Sequence, residues 1–166
     1  MNEIKIRPAT QLDFPRIIAL NLAAIKATGD MDLNHLQNLD AWSDYHKVVT
    51  YNNHVVAFLL VLPAGKPYQS PNYQWFNQHY SSFYYVDRIV VDESQTGMKI
   101  GTRLYQDLFA VAQSRDIKFI TCEYNIKPMN KASAIFHQRH GFTEVKTQWL
   151  DSNKKQVSLQ AVELEA

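Results

Sequence analysis

Apolar positions along the chain switch repeatedly between the strand period and the helix period, and the switches mark out the elements. Ile4 and Ile6 alternate with Lys5 and Arg7 and the run stops at Pro8, as a first strand would. Thr10 stands where a helix N-cap belongs, with Asp13 at the capping-box position. Leu12, Phe14, Ile17, Ile18, Leu20 and Ala24 then predict an amphipathic helix to about Lys26, ended by Thr28-Gly29-Asp30. A second helix is expected over 32–45, with Leu33, Leu36, Leu39 and Trp42 along one side. Residues 47–51 and 55–62 are β-rich runs flanking Asn52-Asn53-His54, a hairpin signal because asparagine tolerates left-handed backbone. The second run is apolar on both faces and belongs in the middle of a sheet.

Residues 68–83 show no clean period and hold Tyr68, Tyr73, Trp75, Phe76, Tyr80 and Phe83 among polar residues. They read either as an aromatic insertion tucked onto the core or as a lid or substrate wall. Residues 85–91 form a buried strand, and Ile100, Leu104, Leu108 and Val111 recur at helical spacing after it. Residues 117–124 make the next strand, which a right-handed crossover places parallel to 85–91. After Pro128, Asn130 caps a short helix over 131–140 with Ala134, Ile135 and Phe136 inward, Gly141 at its end and Phe142 as the apolar contact. Closing strands over 143–150 and 156–164 follow. The expectation is a single domain over 1–166 without repeat or linker.

Composition narrows the class. A chain of 166 residues, 46% hydrophobic and 20% charged, suits one compact soluble domain. A net charge of +1, with basic residues interspersed among acids, argues against nucleic acid as partner. The single cysteine, Cys122, excludes an intrachain disulfide and fits a reducing compartment. No apolar stretch follows the first charges as in a signal peptide, and none approaches a membrane span, so a cytoplasmic location is expected.

The chemistry concentrates between the strand at 85–91 and the helix that follows. Strand, glycine-bearing turn, helix is an order that brings free backbone N–H groups to one point, a place suited to phosphate. Gly97 and Gly101 let the backbone approach a ligand without a Cβ in the way.

The order β-α-α-β-β-β-α-β-α-β-β over nearly the whole chain resembles the GNAT superfamily of N-acetyltransferases. The residues that carry the resemblance are Arg88-Ile89-Val90-Val91, the turn Thr96-Gly97-Met98-Lys99-Ile100-Gly101, the strand ending Glu123-Tyr124-Asn125, and the run from Asn130 to Phe142. That last run matches the family signature Asn-x-x-Ala/Ser-x-x-Phe-Tyr/His-x-x-x-Gly-Phe. The turn departs from the family pattern Arg/Gln-x-x-Gly-x-Gly/Ala: Thr96 and Lys99 occupy its first and fourth positions, and Lys99 replaces a glycine. The resemblance implies an α/β fold with a mixed, largely antiparallel sheet of about seven strands and about four flanking helices. Parallel strands four and five are expected to splay around acetyl-CoA.

It also implies the roles of residues. Gly97, Met98, Lys99, Ile100, Gly101 and Thr102 would take the pyrophosphate; Ile89, Val90 and Val91 would pair with the pantetheine arm, the Val91 N–H facing the thioester oxygen. Asn125, Asn130, Ser133 and Phe136 would complete the cofactor side. His137 occupies the slot where the family often has a tyrosine that protonates the leaving thiolate. Asp87 and Glu123 are the candidate bases, Asp87 having an ion pair with a neighbouring basic group as its alternative. Tyr73, Trp75 and Tyr85 are the candidate contacts of the acceptor, an amine of a small molecule, amino acid or peptide. No metal is expected, and a homodimer is compatible with the sequence. The alternative is an acyl-CoA-binding or sensing module without turnover, motivated by Lys99 and the absent tyrosine.

Overall fold

The computed structural model describes residues 3–95 and 97–165. Its strands are β1 (Ile4–Pro8), β2 (Tyr45–Tyr51), β3 (His54–Pro63), β4 (Phe83–Val91), β5 (Phe119–Lys127), β6 (Thr143–Leu150) and β7 (Lys155–Glu163). Its helices are α1 (Phe14–Ala23), α2 (Ile25–Thr28), α3 (Leu33–Trp42), α4 (Pro71–His79), α5 (Ile100–Ser114) and α6 (Lys131–Arg139), with short 3-10 turns at Gln11–Asp13 and Glu93–Gln95. The strands form one seven-stranded mixed sheet in the order β1-β2-β3-β4-β5-β7-β6. The β4–β5 pair is parallel, as expected from the crossover, with Phe83, Tyr84 and Tyr85 opposite Phe119, Ile120 and Thr121. Among the described residues no helix is long and apolar enough to cross a membrane. Two compact units are distinguishable, Met1–Pro63 with Val86–Val111 and Ala64–Tyr85 with Ala112–Ala166.

In the first unit, β3 is buried from Val56 to Leu62, which explains its unbroken apolar run. Ile17 and Leu20 of α1 and Leu36 and Leu39 of α3 are buried in the same unit. Each such side chain contributes about 1.5–3 kcal/mol by leaving water. The β2–β3 hairpin closes as expected: Tyr51 pairs with His54, and Asn52 and Asn53 adopt φ of 50° and 69°. Asn52 also ties the start of β1, its side-chain oxygen accepting the Glu3 N–H at 2.9 Å. The Thr10 turn is fixed by Asp13, whose carboxylate accepts the Thr10 N–H at 2.8 Å and both Arg7 guanidinium nitrogens at 2.8 and 2.9 Å.

In the second unit, β5 and β6 flank β7 in antiparallel ladders. Tyr73 and Phe76 of α4 gather against Phe83 and Tyr85 with ring centroids 5.4–6.3 Å apart. Asn130 caps α6, its side-chain oxygen accepting the Ser133 N–H at 3.1 Å, and Gly141 follows with φ of 85°.

Several expectations need correction. The described residues form six α-helices where about four are expected. Part of 68–83 is helical: Ser70 caps α4 and Pro71 begins it, a start signal that the scatter of aromatic residues obscured. The N-terminal helix does not run unbroken to Lys26. Ala24 leaves helical geometry (φ −109°, ψ 16°) and separates α1 from α2, where Asn21 and Thr28 divert their polar groups into side-chain bonds. Tyr45 begins β2 and does not end α3. On α6, Ile135 is 41% exposed while His137 is 4% exposed. Thr96, the first position of the expected cradle pattern, lies outside the described residues.

The Arg7 fork first, and then the Thr10 N–H, hold the Asp13 carboxyl below its ordinary value near 3.8, against the opposing effect of burial. The stabilisation is therefore complete above that value and fades as pH falls through the lower folded-state value. Asp13→Asn is expected to lower unfolding free energy by about 2 kcal/mol at neutral pH. In urea titrations the gap between variant and parent should close below pH 4, within the range set by the ordinary value of 3.8.

Candidate active site

In the first unit, β4 ends at Val91 and the chain turns through Glu93–Gln95 into α5. From Asp87 onward β4 alternates: Arg88 and Val90 are buried, whereas Asp87, Ile89 and Val91 are half-buried. The turn is made possible by left-handed backbone at Gly97 (φ 86°) and Lys99 (φ 55°). A Cβ built on Gly97 would meet nothing within 4 Å, so that side of the turn is open. For glycine this conformation is free of strain, and for lysine it costs about 1–2 kcal/mol. The family glycine that Lys99 replaces thus has a conformational reason as well as one of close approach.

A cleft of about 530 Å³ opens at this turn, lined by Ile4, Gly97, Met98, Lys99, Thr102, Arg103 and Gln106. Neither Lys99 nor Arg103 enters an ion pair among the described residues. Two unneutralised cations beside the start of a helix give the cleft a positive field suited to a polyanion. The expected positions Gly97, Met98, Lys99 and Thr102 line it together; Ile100 is buried beneath, and Gly101 is half-buried in the first turn of α5. Arg103, Gln106 and Ile4 are additions. Arg103 is legible afterwards as the residue one helical turn beyond Lys99, whereas Ile4 is brought there by tertiary structure alone.

Asp87 is committed elsewhere. Its carboxylate accepts the Arg88 Nε–H at 2.6 Å, and both side chains are nearly solvent-free. The Arg88 guanidinium also donates to the Asn21 side-chain oxygen at 3.1 Å, and Asn21 donates to the Gly29 carbonyl at 3.0 Å. This is a buried polar network, and the sequence alternative of an ion pair with a neighbouring basic group describes it.

In the second unit, the Tyr85 hydroxyl donates to Glu123 Oε1. Tyr85 is buried and Glu123 half-buried, so the carboxylate is held by a fixed donor while retaining exposure. The Tyr73 ring stands 5.4 Å from that of Tyr85 and is itself fully buried, its hydroxyl accepting the Lys66 N–H at 3.0 Å. Trp75 is half-buried and stacks on His79 at 4.2 Å. Cys122 is buried, and burial, followed by the charge of Glu123, pushes its thiol well up from the usual range. It is thus unsuited to act as a thiolate nucleophile.

On α6, Ser133 and Phe136 are half-buried. The His137 ring stacks on Tyr124 at 5.9 Å and meets Phe142 edge-on at 5.1 Å, with Nδ1 2.8 Å from the Ser133 carbonyl. Burial above all depresses its pKa to about 4. At neutral pH the ring is uncharged and Nδ1–H donates to that carbonyl. An uncharged imidazole is a far weaker proton donor than imidazolium. Asn125 is buried and its carbonyl accepts the Asn130 N–H at 2.9 Å, which fixes the approach to α6.

Residues 13–142 match the model of the acetyltransferase (GNAT) family. Among solved structures, the chain is similar to Ard1 from Thermoplasma volcanium at 15% identity and a TM-score of 0.81, over 98% of this chain and 99% of that one. It is similar to the ribosomal-protein-S18-alanine N-acetyltransferase from Escherichia coli at 14% identity and a TM-score of 0.73, over 99% and 96%. A further similarity is to Arabidopsis thaliana Naa50 in complex with the bisubstrate analogue CoA-Ac-MVNAL, at 12% identity and a TM-score of 0.74, over 96% and 97%. At these identities the likeness concerns the fold. A search of curated proteins by sequence returned no match.

The depressed His137 value has a direct signature. The ring protons of His137 are expected to stay unshifted in NMR spectra from pH 8 to about pH 5 and to move only near pH 4. At Lys99, substitution by glycine exchanges left-handed strain for a looser unfolded chain and should leave unfolding free energy within about 0.5 kcal/mol. Lys99→Val, a β-branched residue in the same conformation, should lower it by about 1–2 kcal/mol in urea titrations.

Proposed function

The chain belongs to the acetyltransferase (GNAT) family, and from that premise we propose that it transfers the acetyl group of acetyl-CoA to an amine of a small molecule, amino acid or peptide. The observation that carries this reading is the cleft at the β4–α5 turn, with its open Gly97 and its unneutralised Lys99 and Arg103. Residues 1–166 act in it as one acetyltransferase domain, in a reducing, cytoplasmic setting that the lone buried Cys122 suits. The fit to coenzyme A is chemical. Its pyrophosphate takes N–H bonds from the turn at Gly97 to Thr102, supported by the two cations. Backbone groups of Ile89, Val90 and Val91 take the amide-bearing arm as an added strand would, with the Val91 N–H toward the thioester oxygen. Asn125, Asn130, Ser133 and Phe136 complete the cofactor side.

Bound acetyl-CoA supplies an activated acyl group with a thiolate leaving group. The acceptor arrives as an ammonium and must lose a proton before its nitrogen attacks. Glu123 is the base in this reading: its carboxylate is half-buried and oriented by the Tyr85 hydroxyl, whereas Asp87 is paired with Arg88. Asp87 ranks second and contributes mainly by fixing Arg88. As the N–C bond forms and the C–S bond breaks, the second nitrogen proton goes to the thiolate or to water. His137, uncharged at neutral pH, shapes the α6 side and leaves the thiolate to depart with an ordinary thiol pKa near 8.5. Tyr85, with Tyr73 behind it and Trp75 on the same helix as Tyr73, borders the acceptor. The sensing alternative keeps the cleft and lacks turnover; Lys99 and the absent tyrosine favour it.

Release of free CoA against a panel of amines separates the two readings, since tight acetyl-CoA binding without acceptor-dependent release means a sensor. For the enzyme, Glu123→Gln is expected to lower kcat at pH 7 by about 100-fold with little change in KM for acetyl-CoA. The deficit should shrink as pH rises toward the pKa of the amine. A loss of the same size at every pH removes Glu123 as the base.

A further inference from the structure

At the point where β4 gives way to the turn, Asp92 makes bonds in three directions. Its N–H donates to the Val56 carbonyl at 2.8 Å, one carboxylate oxygen accepts the Ser94 N–H at 3.0 Å, and the other accepts Arg16 Nη2 at 2.7 Å. Arg16 comes from α1, far away in sequence, and its Nε–H donates to the Val55 carbonyl at 2.9 Å. One guanidinium therefore joins α1, the first residues of β3 and the first residue after β4. The Asp92 carbonyl accepts the Gln95 N–H at 2.9 Å, so the same residue also closes the 3-10 turn that leads to Gly97 and Lys99.

We infer that Arg16 is a positioning residue for coenzyme A, acting through Asp92 to hold the β4–α5 turn in its anion-binding conformation; this rests on the acetyltransferase reading of that turn. The physical reason is the strain in the turn. It contains a lysine in left-handed backbone, and such a conformation persists only where surrounding bonds over-determine it. Apart from Asp92, the bonds described for the turn are local, such as that from the Gln95 side chain to Ser94 Oγ at 3.1 Å. Arg16 is the contact that reaches the carboxylate from another element. Its planar fork serves a carbonyl and a carboxylate at once, a geometry that lysine lacks. An exposed ion pair of this kind adds little to global stability, with side chains 44% and 29% exposed. Its effect falls on the local turn. The Asp92 carboxyl is held below its ordinary range, by the Ser94 N–H first and Arg16 next, so this carboxylate stays charged through the neutral range.

The test uses the full chain with Arg16→Gln, Arg16→Lys, Asp92→Asn and the double variant Arg16→Gln/Asp92→Asn. By calorimetry, Arg16→Gln and Asp92→Asn are each expected to weaken CoA binding about tenfold, Arg16→Lys less, and the double variant no more than the worse single one. KM for acetyl-CoA should rise in step while kcat at saturating acetyl-CoA stays within about twofold. Amide hydrogen exchange in Arg16→Gln should quicken from Glu93 to Lys99 and stay unchanged in β3. Unchanged exchange in the turn, additive losses in the double variant, or a fall in kcat with KM unmoved would overturn the inference. If the parent chain binds no CoA, the acetyltransferase reading fails, while the exchange measurement still decides the tether.

Discussion

The passage from β4 to α5 asks the backbone to turn left-handed at Gly97 and again at Lys99 before α5 begins at Ile100. The first N–H groups of a helix have no partner within it, so they are available wherever the turn leaves them uncovered. A positive φ at Gly97 is free, whereas at Lys99 it is opposed by the side chain. The turn is thus held by its flanks: β4 on one side, the first turn of α5 on the other, and Asp92 at the hinge. What a family glycine supplies by permissiveness, this chain supplies by external fixation, and it gains an ammonium facing the cleft.

Charged groups elsewhere are treated according to their burial. Asp87 and Arg88 lie almost without water and neutralise each other, because a lone charge there would cost several kcal/mol. Arg88 then spends its remaining donors on Asn21 and the Gly29 region, where the helical backbone is interrupted. Glu123 remains partly open to solvent and accepts a bond from the Tyr85 hydroxyl. His137 has lost its charge to burial and become part of an aromatic stack. The three side chains that a sequence reading singles out for proton transfer thus sit in three different environments: ion-paired at Asp87, phenol-bonded at Glu123 and aromatic at His137.

Much of the fold was legible because its elements are periodic and punctuated. The Asn52-Asn53 hairpin, the Asn130 cap and the Gly141 stop each follow from a local conformational preference, and each occurs where expected. The misses have equally local causes. In 68–83, Tyr68, Tyr80 and Phe83 lie outside α4, so the helical period of Tyr73 and Phe76 is diluted, and Ser70-Pro71 is the usable signal. On α6 the apolar pattern points Ile135 inward, but the buried side of the helix passes through His137 and leaves Ile135 exposed. No glycine or proline marks the break at Ala24; Asn21 bonds across it to Thr28 and Gly29, and Arg88 adds a bond from far along the chain.

By itself the sequence determined the order of most strands and helices, the parallel crossover and the glycine-bearing turn between β4 and α5, since these depend on neighbours a few residues apart. Tertiary structure alone decided the surroundings of each candidate side chain, because its partners are distant along the chain: Tyr85 for Glu123, Asn21 behind Arg88, Tyr124 and Phe142 around His137. It also brought Ile4 into the cleft and Arg16 onto Asp92, contacts between residues whose separation in sequence gives no sign of their meeting.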